Sequence, residues 1–202
     1  SPDGEWVGFW AGGQLKKVAM SGGAAVNLGD VENPWGVSWG IDDTILFGQG
    51  TAGIWQVPGT GGTPEVVITV EDGGMAHGPQ MLPDGDSVLF TLRPVGTSSW
   101  DGAQIVAQSL ETGERVVLIE GGRDARYVET GHLVYALNGV LFSVVFDPGA
   151  LEVLGGPVPL VENVDQTDIT GASHFALAAN GTLAHVRGIG GIGDSRNLVW
   201  VD

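Results

Sequence analysis

Cysteine is absent from this 202-residue chain, and basic residues are scarce: 8 Lys and Arg stand against 24 Asp and Glu, for a formal charge of −16. Without cysteine there is no disulfide framework, no thiolate nucleophile and no cysteine-based metal cluster. Without a basic footprint the chain cannot release counterions from phosphates, which excludes a typical nucleic-acid binder and disfavours an anionic membrane surface. No apolar run reaches the ~18 residues that a membrane-spanning helix needs. Sustained i, i+3, i+4, i+7 periodicity is also missing, so long helices are not expected. Glycine, by contrast, is abundant, at 35 residues. There is no Gly-X-Y period, and a hydrophobic content of 43% excludes ordinary disorder. The opening Ser1-Pro2-Asp3-Gly4 reads as a turn and not as part of a signal peptide.

What the chain does contain is short apolar bursts between Gly, Asp and Pro, and the bursts recur. Five comparable segments end at Phe9, Phe47, Phe90, Tyr135 and His185. Each follows a tight turn, at 2–4, 41–43, 83–85, 129–131 and 179–181; Gly closes four of these turns and Asp43 the other. A second burst follows each one, and in four units a third comes after a polar turn; a short leading segment precedes the turn in units two to five. Four antiparallel strands, A to D, in roughly 40 to 50 residues are the arithmetic of a propeller blade. The expected fold is therefore all-β: a β-propeller fragment of about five four-stranded antiparallel blades, in units 1–32, 33–73, 74–121, 122–167 and 168–202. The first unit lacks strand A and the last lacks strand D. The expectation that follows is that the terminal units sit side by side or are completed by a second copy, because exposed edges pair readily.

Ser1-Pro2-Asp3-Gly4-Glu5-Trp6-Val7-Gly8-Phe9 and Leu82-Pro83-Asp84-Gly85-Asp86-Ser87-Val88-Leu89-Phe90 resemble the S-P-D-G signature of TolB-type propeller repeats. Residues 38–47 resemble a third copy, with Gly40, Ile41 and Asp43 in place of the usual Ser, Pro and Gly. Units four and five keep only the final Gly and the apolar strand. The closing stretch, residues 181–186 and 196–202, is similar to propeller regions of large bacterial proteins, some of which carry a kinase domain and a membrane helix. The resemblance implies a bacterial protein with an extracytoplasmic setting, periplasmic or at the cell surface.

Motifs with chemical associations are better explained by structure. Gly36-Val37-Ser38-Trp39-Gly40 fits a nucleophile-elbow pattern, but a strand-turn-strand context offers Ser38 no helix to sit against. Residues 188–193 fit a dinucleotide fingerprint, yet a short turn and a strand follow where a helix N-terminus is needed. His77, His132, His174 and His185 show no metal-ligand spacing, and no window matches a calcium loop. No catalytic residue, cofactor or metal ligand is therefore assigned. His185 is expected to pack within its blade, whereas His77 is expected in a connector.

Loop length gives the one functional signal. From the strand-B motif to strand C the intervals are 6, 7, 15, 6 and 13 residues, so the third and fifth units carry about twice the connection the others need. Long loops on a rigid scaffold are where recognition usually resides. They hold Arg93, Trp100 and Asp101 in one case and Arg187, Asp194 and Arg196 in the other. With His77 from a D–A connector, these form the expected recognition face. Between Lys17 and Arg93 there is no basic residue but nine acids, so blades two and early three present a negative surface suited to a cationic partner. The function expected is non-enzymatic: a scaffold or sensor module that binds a protein, peptide or small ligand. The alternatives are an accessory propeller of a prolyl-oligopeptidase-like hydrolase whose catalytic domain lies outside this chain, and a carbohydrate-binding propeller.

Overall fold

The computed structural model describes residues 1–71, 73–178, 180–188 and 198–201, the last four as backbone. It contains five separate antiparallel sheets, each formed by consecutive strands. The first comprises β1 (Trp6–Ala11), β2 (Gln14–Ala19) and β3 (Val26–Asp30). The second comprises β4 (Val37–Trp39), β5 (Thr44–Gly48), β6 (Ile54–Pro58) and β7 (Glu65–Ile68). The third runs through β8 (Met75–Met81), β9 (Ser87–Arg93), β10 (Gln104–Ser109) and β11 (Arg115–Glu120). In the fourth are β12 (Arg123–Val128), β13 (His132–Leu137), β14 (Val140–Asp147) and β15 (Glu152–Val161); in the fifth, β16 (Phe175–Leu177), β17 (Leu183–Val186) and β18 (Leu198–Val201). This is an array of propeller blades, with strands B to D in the first sheet and A to C in the last.

One turn recurs in every unit. The fourth residue of each donates its N–H to the carbonyl three positions back: Gly4 to Ser1, Asp43 to Gly40, Gly85 to Leu82, Gly131 to Val128 and Gly181 to Ala178. All five have positive φ, from 64° at Asp43 to 87° at Gly181. In four units a carboxylate or amide oxygen then accepts the N–H two residues on, from Asp3, Asp42, Asp84 and Asn180. A type I turn closed by a left-handed residue is the hairpin geometry that demands this chemistry. The second unit therefore makes the same turn with Asp43 where its sisters use Gly.

The sheets stack face to face, and the two-residue period of each B strand divides its side chains between neighbours. In β5, Ile45 and Phe47 join Leu15, Leu28 and Val57 in the core against the first sheet, while Leu46 joins Val88, Phe90 and Val106 toward the third. In β9, Leu89 turns the other way, into a cluster with Ile105, Leu133, Tyr135 and Phe146. That is why β9 is buried from Ser87 to Leu92 and carries no polar face. Strand β1 has a neighbour on one side, and Val7 and Trp10 remain 46% and 43% exposed.

Candidate recognition site

The site lies where strand A begins in the third and fourth sheets. Both strands carry a bulge there. In β8, His77 pairs with Thr91 and Gln80 with Leu89, so Gly78 and Pro79 together oppose Phe90. In β12, Arg123 pairs with Ala136 and Arg126 with Val134 in the same way. The extra residue is Gly78 (φ 61°) in one case and Asp124 (φ 52°) in the other. A bulge re-aims the side chains around it, and here it groups His77, Asp124 and Arg126. A left-handed, non-glycine residue at such a point costs free energy that the surrounding contacts must offset.

Asp124 receives those contacts. Its N–H donates to Thr91 Oγ1 at 2.9 Å, and its Oδ2 accepts the Ser173 N–H at 2.8 Å. Its Oδ1 lies 2.7 Å from Arg126 Nη2 and 3.1 Å from His77 Nε2. Both nitrogens sit at ion-pair distance but off the hydrogen-bonding directions of Oδ1, and His77 Nδ1 has no partner among the described residues. His77 and Asp124 are buried, while the Arg126 side chain keeps 28% of its surface. Burial alone would push the Asp124 carboxyl up. The Arg126 guanidinium, His77 and the Ser173 N–H outweigh it and hold the pKa well below the usual carboxylate range. Arg126 also donates to the Gly78 and Ala125 carbonyls. A Cβ on Gly78 would lie 2.9 Å from the Arg126 guanidinium, so glycine there leaves room for the arginine to cross between blades.

A second ion cluster adjoins the first. Arg123, 2% exposed, forms a fork with Asp101: Nη2 to Oδ2 at 2.9 Å and Nε to Oδ1 at 3.1 Å. Its Nη1 reaches Asp168 Oδ1 at 2.9 Å. One arginine of the fourth sheet thereby ties the long loop of the third to the connector that precedes the fifth. Asp101 is the middle residue of a single 3-10 turn, Trp100–Gly102, and donates its N–H to the capping Ser99 hydroxyl. Trp100 is fully buried, donates from Nε1 to the Asp168 carbonyl at 3.1 Å, and lies edge-on to Trp35 and His77. Gly171, at φ 86°, abuts the indole so closely that a Cβ would fall 2.5 Å from it. The Arg93 guanidinium stacks over the same ring, 5.0 Å from its centroid, and donates to the Met75 thioether.

The structure thus brings Arg93, Trp100, Asp101 and His77 to one end. Two of them differ from expectation. His77 is an interior residue of β8, not an exposed member of a connector, and Trp100 is a buried wedge between blades whose ring offers no free surface. Arg187 is exposed, bridged through its backbone to Val164, and lines a depression of about 410 Å³ with Val161, Glu162, Asn163 and His185. Asp194 and Arg196 lie outside the described residues. Sequence reasoning missed Trp35, Arg123, Asp124, Arg126 and Asp168. The available signal was Arg123-Asp124-Ala125-Arg126: three charges opening a strand whose sisters are mostly apolar.

No family model matches this sequence, and no curated protein matches it. Solved structures do. A TolB-like protein from Agrobacterium tumefaciens aligns over 96% of this chain and 70% of its own, with a TM-score of 0.66 and 16% identity. A calcium-binding protein, regucalcin, from the same organism aligns over 93% of this chain and 65% of its own, with a TM-score of 0.63 and 12% identity. Puromycin hydrolase, solved as its S511A mutant, aligns over 98% of this chain but 37% of its own, with a TM-score of 0.52 and 18% identity. This chain accordingly spans about two thirds or less of the length of most such structures. At these identities the likeness is one of fold, and the fold is a β-propeller.

Proposed function

We propose that this propeller is a non-enzymatic binding module that recognises an anionic or polar group of a peptide or small ligand at the end built by Trp35, His77, Arg93, Trp100 and Arg126. The observation that carries the reading is the concentration of buried charge there. Desolvating Arg123, Asp124 and Asp101 costs free energy that an apolar wedge would not, and such networks are retained where they hold side chains in one arrangement. Here they hold the long third-blade loop rigid and present two arginine edges, Arg93 and Arg126, from a preorganised platform. The ion pairs fix one another's orientation and are not arranged as a nucleophile beside a base, which favours binding over chemistry. An extracytoplasmic setting belongs to the same reading and rests on the likeness to TolB-like propellers. The second reading, an accessory propeller of a hydrolase, is favoured by the puromycin hydrolase alignment.

A thermal-shift screen of carboxylate- and phosphate-bearing peptides and small molecules tests the proposal. A hit should lose its stabilising effect in Arg93→Gln and keep it in Arg115→Gln, which removes the same charge from an outer strand. A hit whose chemical-shift changes map solely to the turns at 2–4, 41–43, 83–85 and 129–131 would overturn it.

A further inference from the structure

A groove of about 560 Å³ runs between the edge of the first sheet and the second sheet, lined by Asp30, Val31, Glu32, Phe47, Trp55 and Pro64 among others. That volume suits one long side chain or a small ligand. Its floor is fixed by the Gly62 N–H, which donates to the Leu28 carbonyl at 2.9 Å, and by Gly29, where a Cβ would lie 3.0 Å from the Gly62 carbonyl. Its walls are held by two indoles. Trp10 Nε1 donates to the Val31 carbonyl at 2.7 Å and so fixes the connector between Asp30 and Glu32. Trp55 Nε1 donates to the Ala52 carbonyl at 3.0 Å, which sets the orientation of its ring.

The electrostatics of the groove are one-sided. Neither Asp30 nor Glu32 has a basic partner among the described residues; Asp30 takes a single hydrogen bond from Gln14 Nε2. The chain from residue 18 to residue 92 supplies no lysine or arginine to answer them. Three of the tryptophans already carry a cation of the protein's own: Lys17 lies over Trp6 and Trp39, and Arg93 over Trp100. Trp55 carries none among the described residues, and it shares its cavity with two uncompensated carboxylates. An oriented aromatic ring beside acidic side chains is the environment that an ammonium or guanidinium group prefers.

We infer that this groove is a second binding site, which receives a lysine or arginine side chain of a basic peptide segment. The cation stacks on Trp55 and is neutralised by Asp30 and Glu32, while its aliphatic stem runs along Thr63 and Pro64. The site shares no lining residue with the arginine-bearing end described above and attracts the opposite charge.

Titration of the intact chain with the peptide acetyl-Gly-Lys-Gly-Arg-Gly-amide tests the inference, followed by the ¹H–¹⁵N signals of the indole N–H groups. The Trp55 indole signal should shift in a saturable way, and a norleucine–citrulline version of the peptide should leave it unmoved. Asp30→Asn/Glu32→Gln should weaken binding about fivefold or more. Glu129→Gln/Glu152→Gln, which removes the same charge from exposed positions of the fourth unit, should stay within about twofold. Trp55→Phe keeps an aromatic face if Trp55→Leu does not fold, and should weaken binding by less than the acidic pair. Equal weakening by the two charge pairs would mean general attraction to an acidic surface and would overturn the inference. So would a shift confined to other indoles. Arg93→Gln should leave this binding unchanged, so failure here and failure of the proposal for the arginine-bearing end are told apart.

Discussion

Two charged regions of this propeller answer their charge in opposite ways. Between the third, fourth and fifth sheets, each buried charge is met by a partner of opposite sign that reaches the surface: buried Asp124 lies against Arg126 and beside His77, and buried Arg123 lies between Asp101 and the exposed Asp168. Between the first and second sheets, Asp30 and Glu32 face an open groove with no base beside them. A buried charge cannot be left to water, so removing one partner exposes the full desolvation cost of the other; a rim charge stays hydrated and costs little. The first region consequently pairs its charges within the protein, and the second is poised for a charge from outside.

The largest effect expected from breaking that contrast is at Asp124. Asp124→Asn keeps the shape and removes the charge that Arg126 and His77 surround, and should destabilise the fold by about 3 kcal/mol in urea denaturation. The pH dependence follows from the direction of the shift. The folded-state pKa of Asp124 is depressed below the ordinary aspartate value of 3.8, so its contribution is fully present above that pH and is lost as pH falls below it. Wild-type stability should therefore decline on the acid side, and the Asn variant should lose that part of the decline. Equal acid limbs in the two proteins would show that the buried pair is not what couples this end to pH.

The repeat supplies a second, smaller contrast, between backbone strain and packing. A Cβ on Gly85 would meet nothing within 4 Å, yet its φ is 73°. Gly85→Val should cost about 1–3 kcal/mol from conformation alone. Asp43 occupies the equivalent place at φ 64°, and its Oδ1 accepts the Trp39 indole N–H at 2.8 Å, so Asp43→Gly relieves strain but loses that bond and should change stability by less than about 1 kcal/mol in the same assay. An unchanged melting curve for Gly85→Val would mean that the turn relaxes to another geometry.

These turns are also where the sequence was most legible. Turn chemistry acts over three or four residues, so Pro83-Asp84-Gly85 announces its own geometry, and the apolar bursts beside it announce strand B. The start of strand A was not legible in this way. Gly78 breaks the two-residue alternation of β8, so Met75-Ala76-His77 after Gly73-Gly74 reads as connector although it is strand. Trp100 was legible as an exceptional residue of a long loop, but its burial depends on Asp168 and Gly171, about 70 positions away. Arg123 is of the same kind: its partners, Asp101 and Asp168, come from two other units, and a pattern confined to one unit cannot pair them.

The smallest effect is expected at the groove, and its sign matters more than its size. Asp30→Asn/Glu32→Gln removes two charges from a chain of formal charge −16 without breaking an ion pair among the described residues. The lost Gln14–Asp30 hydrogen bond is exposed and can be replaced by water or by the new amide. Relief of self-repulsion should then leave stability unchanged or raise it by up to about 0.5 kcal/mol, the reverse of the sign at Asp124. Any gain should be greatest at low ionic strength and fade as salt approaches 1 M, where the screening length falls to about 3 Å. Urea midpoints measured for the double variant at low and high salt decide the matter. A loss of more than about 1 kcal/mol, insensitive to salt, would mean that these carboxylates hold the two sheets together, and the contrast between paired buried charges and an unanswered groove would fail.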